Sequence, residues 1–324
     1  MHSIKNLQEI IIKAIHQHSY PQEPKELYEP ISYFMDLGGK RLRPVLLLLA
    51  ADLYKVDLEK AIKPALAIEL FHNFTLMHDD IMDKAPLRRG KDTVHKKWND
   101  SVAILSGDVM LIEAYKLMMQ VNPKILPEVL NIFNTTAIEV CEGQQFDMNF
   151  ENQQQVDVSD YIEMIRLKTA VLLGASLKIG ALIGQASTDD AQHIYDFGIN
   201  IGIAFQLKDD LLDVYGNPEK FGKQIGGDIL SNKKTFLLIK ALELANIEQK
   251  TNLNNWLNAD NFISKDKIEA ITDLYNQLDI KTITEEKIIN YADLAFSSLQ
   301  KIDQPEDRKS TLKEFMDLLM LREY

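Results

Sequence analysis

The run from Pro64 to Asp83, PALAIELFHNFTLMHDDIMD, decides the fold. Its apolar residues recur at helical rather than alternating spacing, up to an acidic close, Asp79-Asp80-Ile81-Met82-Asp83. Asp57 is placed to cap a helix that tolerates Pro64 near its start and runs on to Asp83. Each helical residue advances by about 100°, so Asp79, Asp83 and Asp80 fall at roughly 0°, 40° and 100° and three carboxylates share one face. The same pattern returns in Lys208-Asp209-Asp210-Leu211-Leu212-Asp213.

Outward from this run the spacing stays helical, and no alternating β-branched stretch between turn signals marks a sheet. The expectation is an all-α chain. Helices are expected at 3–19 and 25–36, the second kinked or delayed by Pro30. A third follows Gly38-Gly39, with Pro44 in its first turn. Residues 84–92 read as a loop. Helices follow at about 100–120, 126–150, 160–186 with Ser159 or Asp160 as cap, and 189–215, which stops at Gly216-Asn217-Pro218. Residues 219–230 read as a glycine-rich loop, 231–245 as helix, and three further helices after Asn261 are assigned to packing. No Pro/Ser-rich linker divides the middle, so residues 1–324 are expected to form a single domain.

Composition narrows the functions. A hydrophobic content of 46% supports a large core, while a net charge of -12 opposes nucleic acid or an anionic membrane surface as a partner. Cys141 is the one cysteine, which excludes an internal disulfide and fits a reducing, cytoplasmic setting. The N-terminal stretch lacks a signal-peptide core, and the longest apolar runs are too short to span a bilayer.

Two Asp-Asp-x-x-Asp clusters, each closing an apolar helix, carry like charges that favour a compensating cation. Hard oxygen ligands select Mg²⁺, with Mn²⁺ as substitute, and such ions keep waters and ligate substrate phosphates. A diphosphate substrate follows. Basic residues beside the clusters fit it: Lys40, Arg41 and Arg43; Arg88, Arg89 and Lys91; Lys223; and Lys233 with Lys234. His72, seven residues before Asp79, lies about 20° from it in azimuth and faces the same side. Phe71, Phe74 and Met77 suit either a core or a hydrocarbon-lined pocket.

Gly38-Gly39-Lys40-Arg41-Leu42-Arg43-Pro44, the first acidic cluster with Leu87-Arg88-Arg89-Gly90, Gly143-Gln144, Lys168-Thr169, and Phe205 to Asp213 together resemble the trans-polyprenyl diphosphate synthase family over about residues 25–240. The resemblance implies packed helices around a deep cavity, a homodimer and three Mg²⁺ ions. By motif, Asp79 and Asp83 would bind two ions and Asp209 the third, with Asp80, Asp210 and Asp213 in support. Lys40, Arg43, His72 and Arg89 would hold isopentenyl diphosphate. Arg88, Lys168, Thr169, Gln206, Lys223 and Lys233 would hold the allylic diphosphate (dimethylallyl, geranyl or farnesyl). Lys168, Thr169 and Gln206 would also steady a carbocation. Lys208 departs from the Gln or Asp of many members.

Family members limit product length with bulky residues before the first cluster. Here Phe74 and Thr75 stand five and four positions before Asp79, one bulky residue rather than two. That resembles geranylgeranyl-type more than farnesyl-type enzymes, although ideal helix geometry brings Thr75 nearer the acidic face. A longer-chain synthase, a terpene cyclase and a non-catalytic regulatory subunit are the rivals. Lys40 and Arg43 with the duplicated cluster disfavour the cyclase, and the six intact aspartates disfavour the subunit.

Overall fold

The computed structural model describes residues 1–216, 226–259 and 261–320. Its elements are α1 (Ile4–Gln17), α2 (Lys25–Met35), α3 (Leu42–Leu53), α4 (Glu59–Met82), a hairpin of β1 (Leu87–Arg88) and β2 (Lys91–Asp92), α5 (Val94–Lys97), α6 (Asp100–Met118), α7 (Leu126–Asn152) and α8 (Val158–Ile165). A π-turn (Arg166–Ala170) leads into α9 (Val171–Ile183) and then α10 (Thr188–Tyr215). After these come α11 (Gly227–Leu230), α12 (Phe236–Leu244), α13 (Ile247–Leu257), α14 (Ser264–Gln277), α15 (Ile280–Gln300) and α16 (Glu306–Met320). The all-α expectation holds.

Helix α4 forms where expected. Asp57 Oδ1 accepts the Glu59 N–H at 3.2 Å, satisfying one of the N-terminal donors that would otherwise be orphaned. The helix is buried almost continuously from Ala65 to Phe71, which is why its apolar residues do not form a single stripe. Several expectations change. Residues 227–230, expected as loop, form α11, and the helix expected at 231–245 runs from Phe236 to Leu244. Helix α2 continues through Pro30, whose missing N–H would have reached only into the first turn. Residues 84–92 contain the β1–β2 hairpin, paired Leu87 with Asp92 and Arg88 with Lys91. The 160–186 helix starts at Val158 after Asp157, not at Ser159 or Asp160, and is interrupted by the π-turn. Helix α13 was not anticipated; Asn246 and Gln249 form a reciprocal capping box at its start, with bonds of 2.9 and 3.1 Å.

The chain groups into two compact units. The first comprises Met1–Asn134, Ala175–Ile194 and Asp303–Thr311. Within it α3 is buried from Pro44 to Leu53, and Gly180 of α9 lets its backbone approach: a Cβ there would lie 2.2 Å from Leu47 O. The first turn of α16 is tied to the end of α3, because Arg308 Nε donates to Leu53 O at 2.8 Å. An aromatic row, His78, Phe74, Phe71, Phe133 and Tyr115, packs edge-on or tilted with successive centroids 4.7, 5.8, 5.2 and 5.0 Å apart. The second unit comprises Thr135–Gly174 and the described residues of Tyr195–Ile302 and Leu312–Tyr324. Its core joins Phe150, Tyr161, Leu207, Phe236, Leu274 and Tyr275. Among the described residues no helix is long and apolar enough to cross a membrane.

Candidate active site

In the first unit the acidic close of α4 is organised by the hairpin. Arg89 and Gly90 both have positive φ, 53° and 75°, as a two-residue turn that matches strand twist requires. Thr93 Oγ1 closes the base of the loop on Ala85 O at 2.7 Å, and Tyr33 of α2 donates its hydroxyl to Asp92 O at 2.8 Å. So anchored, Arg88 turns back onto α4. Its Nε lies 2.9 and 2.8 Å from the two oxygens of Asp80, and Nη2 lies 2.7 Å from Asp80 Oδ1 and 3.9 Å from Asp79 Oδ2. Asp80 is only 2% exposed. Burial raises its pKa, and the Arg88 hydrogen bond and charge oppose that rise. The expected face of three carboxylates is therefore corrected: at 100° from Asp79, Asp80 points inward and holds Arg88.

The glycine pair before α3 has φ of 83° and 126°. The Arg89 guanidinium donates to Gly38 O, and Gly39, whose φ of 126° L side chains rarely adopt, lets that guanidinium approach its backbone. Arg41, left-handed at φ 51°, is buried, giving hydrogen bonds of 2.5 Å each to Glu69 Oε1 and Met35 O. Removing one partner of a buried ion pair costs about 3–5 kcal/mol, so Arg41 stays inward and is structural, not a ligand for phosphate. Arg43 Nη1 donates to His72 Nε2 at 3.1 Å. Burial pushes the His72 pKa well down, and the charges of Arg43, Arg89, Arg88 and Arg41 push it further. The imidazole is thus neutral, its proton on Nδ1. Burial also lowers Arg43, to about 10, against the pull of Glu69, and it stays charged at neutral pH. Lys40 is exposed, its backbone carbonyl accepting from Gln8 Nε2 at 2.9 Å. Arg43, His72 and Arg89 thus lie in a strongly positive neighbourhood.

In the second unit Lys168 and Thr169 sit on the π-turn, where Val171 N–H reaches back five residues to Arg166 O. One face of α7 holds it. Glu139 Oε1 takes Arg166 Nη1 at 3.3 Å, Asp147 Oδ2 takes Lys168 Nζ at 2.6 Å, and a Cβ on Gly143 would lie 2.3 Å from Lys168 N. Burial would raise the Asp147 carboxyl, but Lys233 and Lys168 bring it below its ordinary value. Of the Lys233–Lys234 pair, Lys233 is the one whose charge acts on Asp147 and Asp210. Thr169 Oγ1 donates to Gln206 Oε1 at 3.3 Å, and Gln206 Nε2 donates to Asp210 Oδ1 at 3.2 Å. Tyr161 donates its hydroxyl to the other oxygen of Asp210, which is 4% exposed. Asp210, like Asp80, points inward and fixes another expected site residue. Asp213 Oδ2 accepts the Asp228 N–H at 3.0 Å, and its main-chain oxygen accepts Gly226 N–H at 2.7 Å. Lys223 lies outside the described residues.

Asp147, Tyr161, Asp228, Tyr33 and Thr93 were not singled out from sequence. Asp147 had a signal, standing one helical turn beyond Gly143 on the same face.

Whether these residues suit Mg²⁺ follows from where the clusters lie. Both close a helix at its C-terminal end, α4 with Asp83 as its cap and α10 within two residues of Tyr215. That end carries partial negative charge, so the carboxylates of the last turn, Asp79, Asp80 and the cap Asp83 at α4 and Asp213 in α10, are each unfavourable by about 0.3–1 kcal/mol until a cation answers them. Among the described residues no three His, Cys, Asp or Glu side chains converge on one point. Mg²⁺ does not need such a cage, since one or two carboxylates with substrate phosphates and waters suffice. Asp79, Asp83 and Asp209 are hard oxygen donors of that kind.

Burial and the neighbouring Asp228 raise the Asp210 carboxyl from 3.8 to about 7, with Tyr161, Lys233 and Gln206 pulling it back. A folded-state pKa above the unfolded one adds stability that is complete below pH 3.8 and is lost as pH rises through about 7. In metal-free protein, urea unfolding over that range is expected to show wild type losing stability relative to Asp210→Asn, with no further divergence above it. Parallel pH profiles would refute the shift.

A family model described as polyprenyl synthetase matches residues 24–275. A geranylgeranyl diphosphate synthase of Methanosarcina mazei is 37% identical, with 99% of this chain and 97% of that protein covered. A geranylfarnesyl diphosphate synthase of Natronomonas pharaonis is 32% identical, with coverage of 99% and 97%. The crystal structure of geranylgeranyl pyrophosphate synthetase from Pyrococcus horikoshii Ot3 is similar at a TM-score of 0.91 and 33% identity, over 98% of this chain and 97% of that one. The two acidic clusters, their basic partners and a match along most of the sequence agree: this chain belongs to the polyprenyl synthetase family.

Proposed function

We propose that the chain is a Mg²⁺-dependent prenyltransferase that joins isopentenyl diphosphate to an allylic diphosphate in the trans configuration, giving a C15–C20 prenyl diphosphate. The observation that carries this is the shared plan of the two clusters: the second aspartate turns inward to hold a side chain expected at the allylic substrate, Arg88 or Gln206. Asp79, Asp83 and Asp209 would hold three Mg²⁺ ions, or Mn²⁺ in their place. Asp80, Asp210 and Asp213 support them by positioning rather than ligation. The named relatives make geranylgeranyl and geranylfarnesyl diphosphates, which supports a short product.

In this reading Lys40, Arg43, His72 and Arg89 hold isopentenyl diphosphate. His72 Nε2 already accepts from Arg43, so Nδ1–H is its remaining donor. Asp80 engages Nε and Nη2 of Arg88, which fixes the guanidinium plane and leaves Nη1 for the allylic diphosphate. Lys168, Thr169, Gln206, Lys223 and Lys233 complete that site. Bound Mg²⁺ supplies Lewis-acid stabilisation of the leaving diphosphate. The allylic C–O bond breaks, the isopentenyl double bond attacks the resulting cation, and the proton lost passes to the released diphosphate. Thr169 donates its hydroxyl hydrogen bond to Gln206 Oε1, so its oxygen lone pairs stay directed outward from that bond and can steady the cation. Asp210 sets the Gln206 amide that receives it.

The reading takes the setting as cytoplasmic and residues 1–324 as one domain, the latter because four of the five boundaries between the two units fall inside α7, α9, α10 and α16, and one between α15 and α16. It also takes the protein as a homodimer, supported by exposed Ile104, Leu105, Ile112 and Met119 along α6. Phe74 is the candidate chain-length residue. Its ring is wedged between His78 at 4.7 Å and Phe71 at 5.8 Å, whereas Thr75 spends its hydroxyl on His72 O at 2.8 Å.

Purified protein with Mg²⁺, isopentenyl diphosphate and dimethylallyl, geranyl or farnesyl diphosphate is expected to yield C15–C20 products by chromatography; no turnover with any primer sinks the proposal. Phe74→Ala is expected to lengthen the products, and an unchanged profile would remove Phe74 as the limit. Sedimentation of the same preparation is expected at the mass of two chains, with a monomer overturning the dimer.

A further inference from the structure

Lys267 is a buried lysine that the proposed reaction does not use. It lies in the first turn of α14, in the C-terminal stretch expected only to pack, and it is 0% exposed. Its placement is unfavourable twice over. An ammonium taken out of water is costly, and the N-terminal end of a helix carries the same sign of charge. What compensates it is specific. Nζ donates to Asn232 Oδ1 at 2.7 Å and stands 4.2 Å from the centre of the Phe262 ring.

Asn232 is itself held at both ends of its amide, since Nδ2 donates to Leu257 O, the last residue of α13, at 2.8 Å. Its backbone is left-handed at φ 55°, a conformation that asparagine tolerates better than most residues. The next residue is Lys233, whose N–H returns to Asp228 O at 2.9 Å and whose carbonyl accepts from Thr235 N–H at 2.8 Å. Behind this turn lies a small cavity lined by Val214, Asp228, Thr235, Leu257 and Tyr275 among others.

We infer that Lys267 and Asn232 are positioning residues: the buried ammonium locks the left-handed Asn232, and that lock sets where Lys233 presents its charge beside Asp147 and Asp210. The inference rests on the proposed function, in which Lys233 holds the allylic diphosphate. It gives α13 and α14 a part in substrate binding that does not require either to touch substrate.

The test uses the full chain with Mg²⁺ and separate KM values for farnesyl diphosphate and isopentenyl diphosphate. Lys267→Met keeps the apolar stem and removes the donor. Asn232→Gly keeps the left-handed backbone and removes the amide. Each is expected to raise the allylic KM about tenfold, the effect of losing one charge-assisted hydrogen bond, with the isopentenyl KM within about twofold. Lys267→Arg is expected to recover most of the loss. Equal rises in both KM values, or an unchanged allylic KM in the variants that fold, overturns the inference. If Lys267→Met fails to fold, Asn232→Gly decides alone. Turnover by wild type in the same assay separates the two failures, because its absence refutes the proposed function and not the strut. In that case the strut is read from Lys233 itself, whose amide resonance is expected to shift in Asn232→Gly and Lys267→Met and to return in Lys267→Arg; no shift overturns it.

Discussion

The structure is governed by an electrostatic conflict, carboxylates gathered at the ends of helices that already carry negative charge. Asp79, Asp80 and Asp83 close α4, and Asp209, Asp210 and Asp213 close α10. In each cluster the middle residue is taken out of the exposed row and neutralised internally. Asp80 accepts from Arg88; Asp210 accepts from Tyr161 and Gln206. That relieves part of the repulsion and also fixes the donors. The hairpin that delivers Arg88 and the α7 face that delivers Lys168 are the means by which the fold sustains these arrangements.

Several of these groups depend on backbone that most residues avoid. Arg41, Lys84, Arg89 and Asn232 have φ between 51° and 61°, as do the C-terminal turns at Lys55 and Asp279. A left-handed non-glycine residue is uncommon, and it persists only where its surroundings specify it. At Arg41 the Glu69 and Met35 bonds do so, and at Arg89 the Gly38 carbonyl does. The basic residues near the first cluster therefore divide into a frame and a working set. Arg41 belongs to the frame, and its charge still helps keep His72 neutral.

Periodicity was enough to find most helices and both acidic clusters, because burial imposes a 3.6-residue period on sequence directly. It could not separate Asp80 from Asp79, since an azimuth of about 100° places a side chain near the edge of a face, and only the neighbouring elements decide which way it turns. The π-turn was illegible for a related reason: one inserted residue leaves composition untouched, and the glycine that makes room for it, Gly143, lies on another helix. Asp147 and Tyr161 depend on that packing and were missed with it. Helix α13 was hidden by its own polarity, with Leu253 its one buried residue, although its capping box was present.

The two clusters answer the same conflict with different partners, and the difference has a consequence. Asp80 meets a guanidinium, so its ionised form is matched by a full positive charge. Asp210 meets a phenol and an amide, beside Asp228, and its carboxyl is raised to about 7. Neutral donors stabilise a carboxylate less than a cation does. Asp80 is therefore matched by a cation in direct contact, whereas Asp210 is held by neutral donors in contact and by the charge of Lys233 acting on it. The consequence is one of pH: the Asp210 carboxyl, raised to about 7, changes its charge near neutrality while still joined to Tyr161 and Gln206.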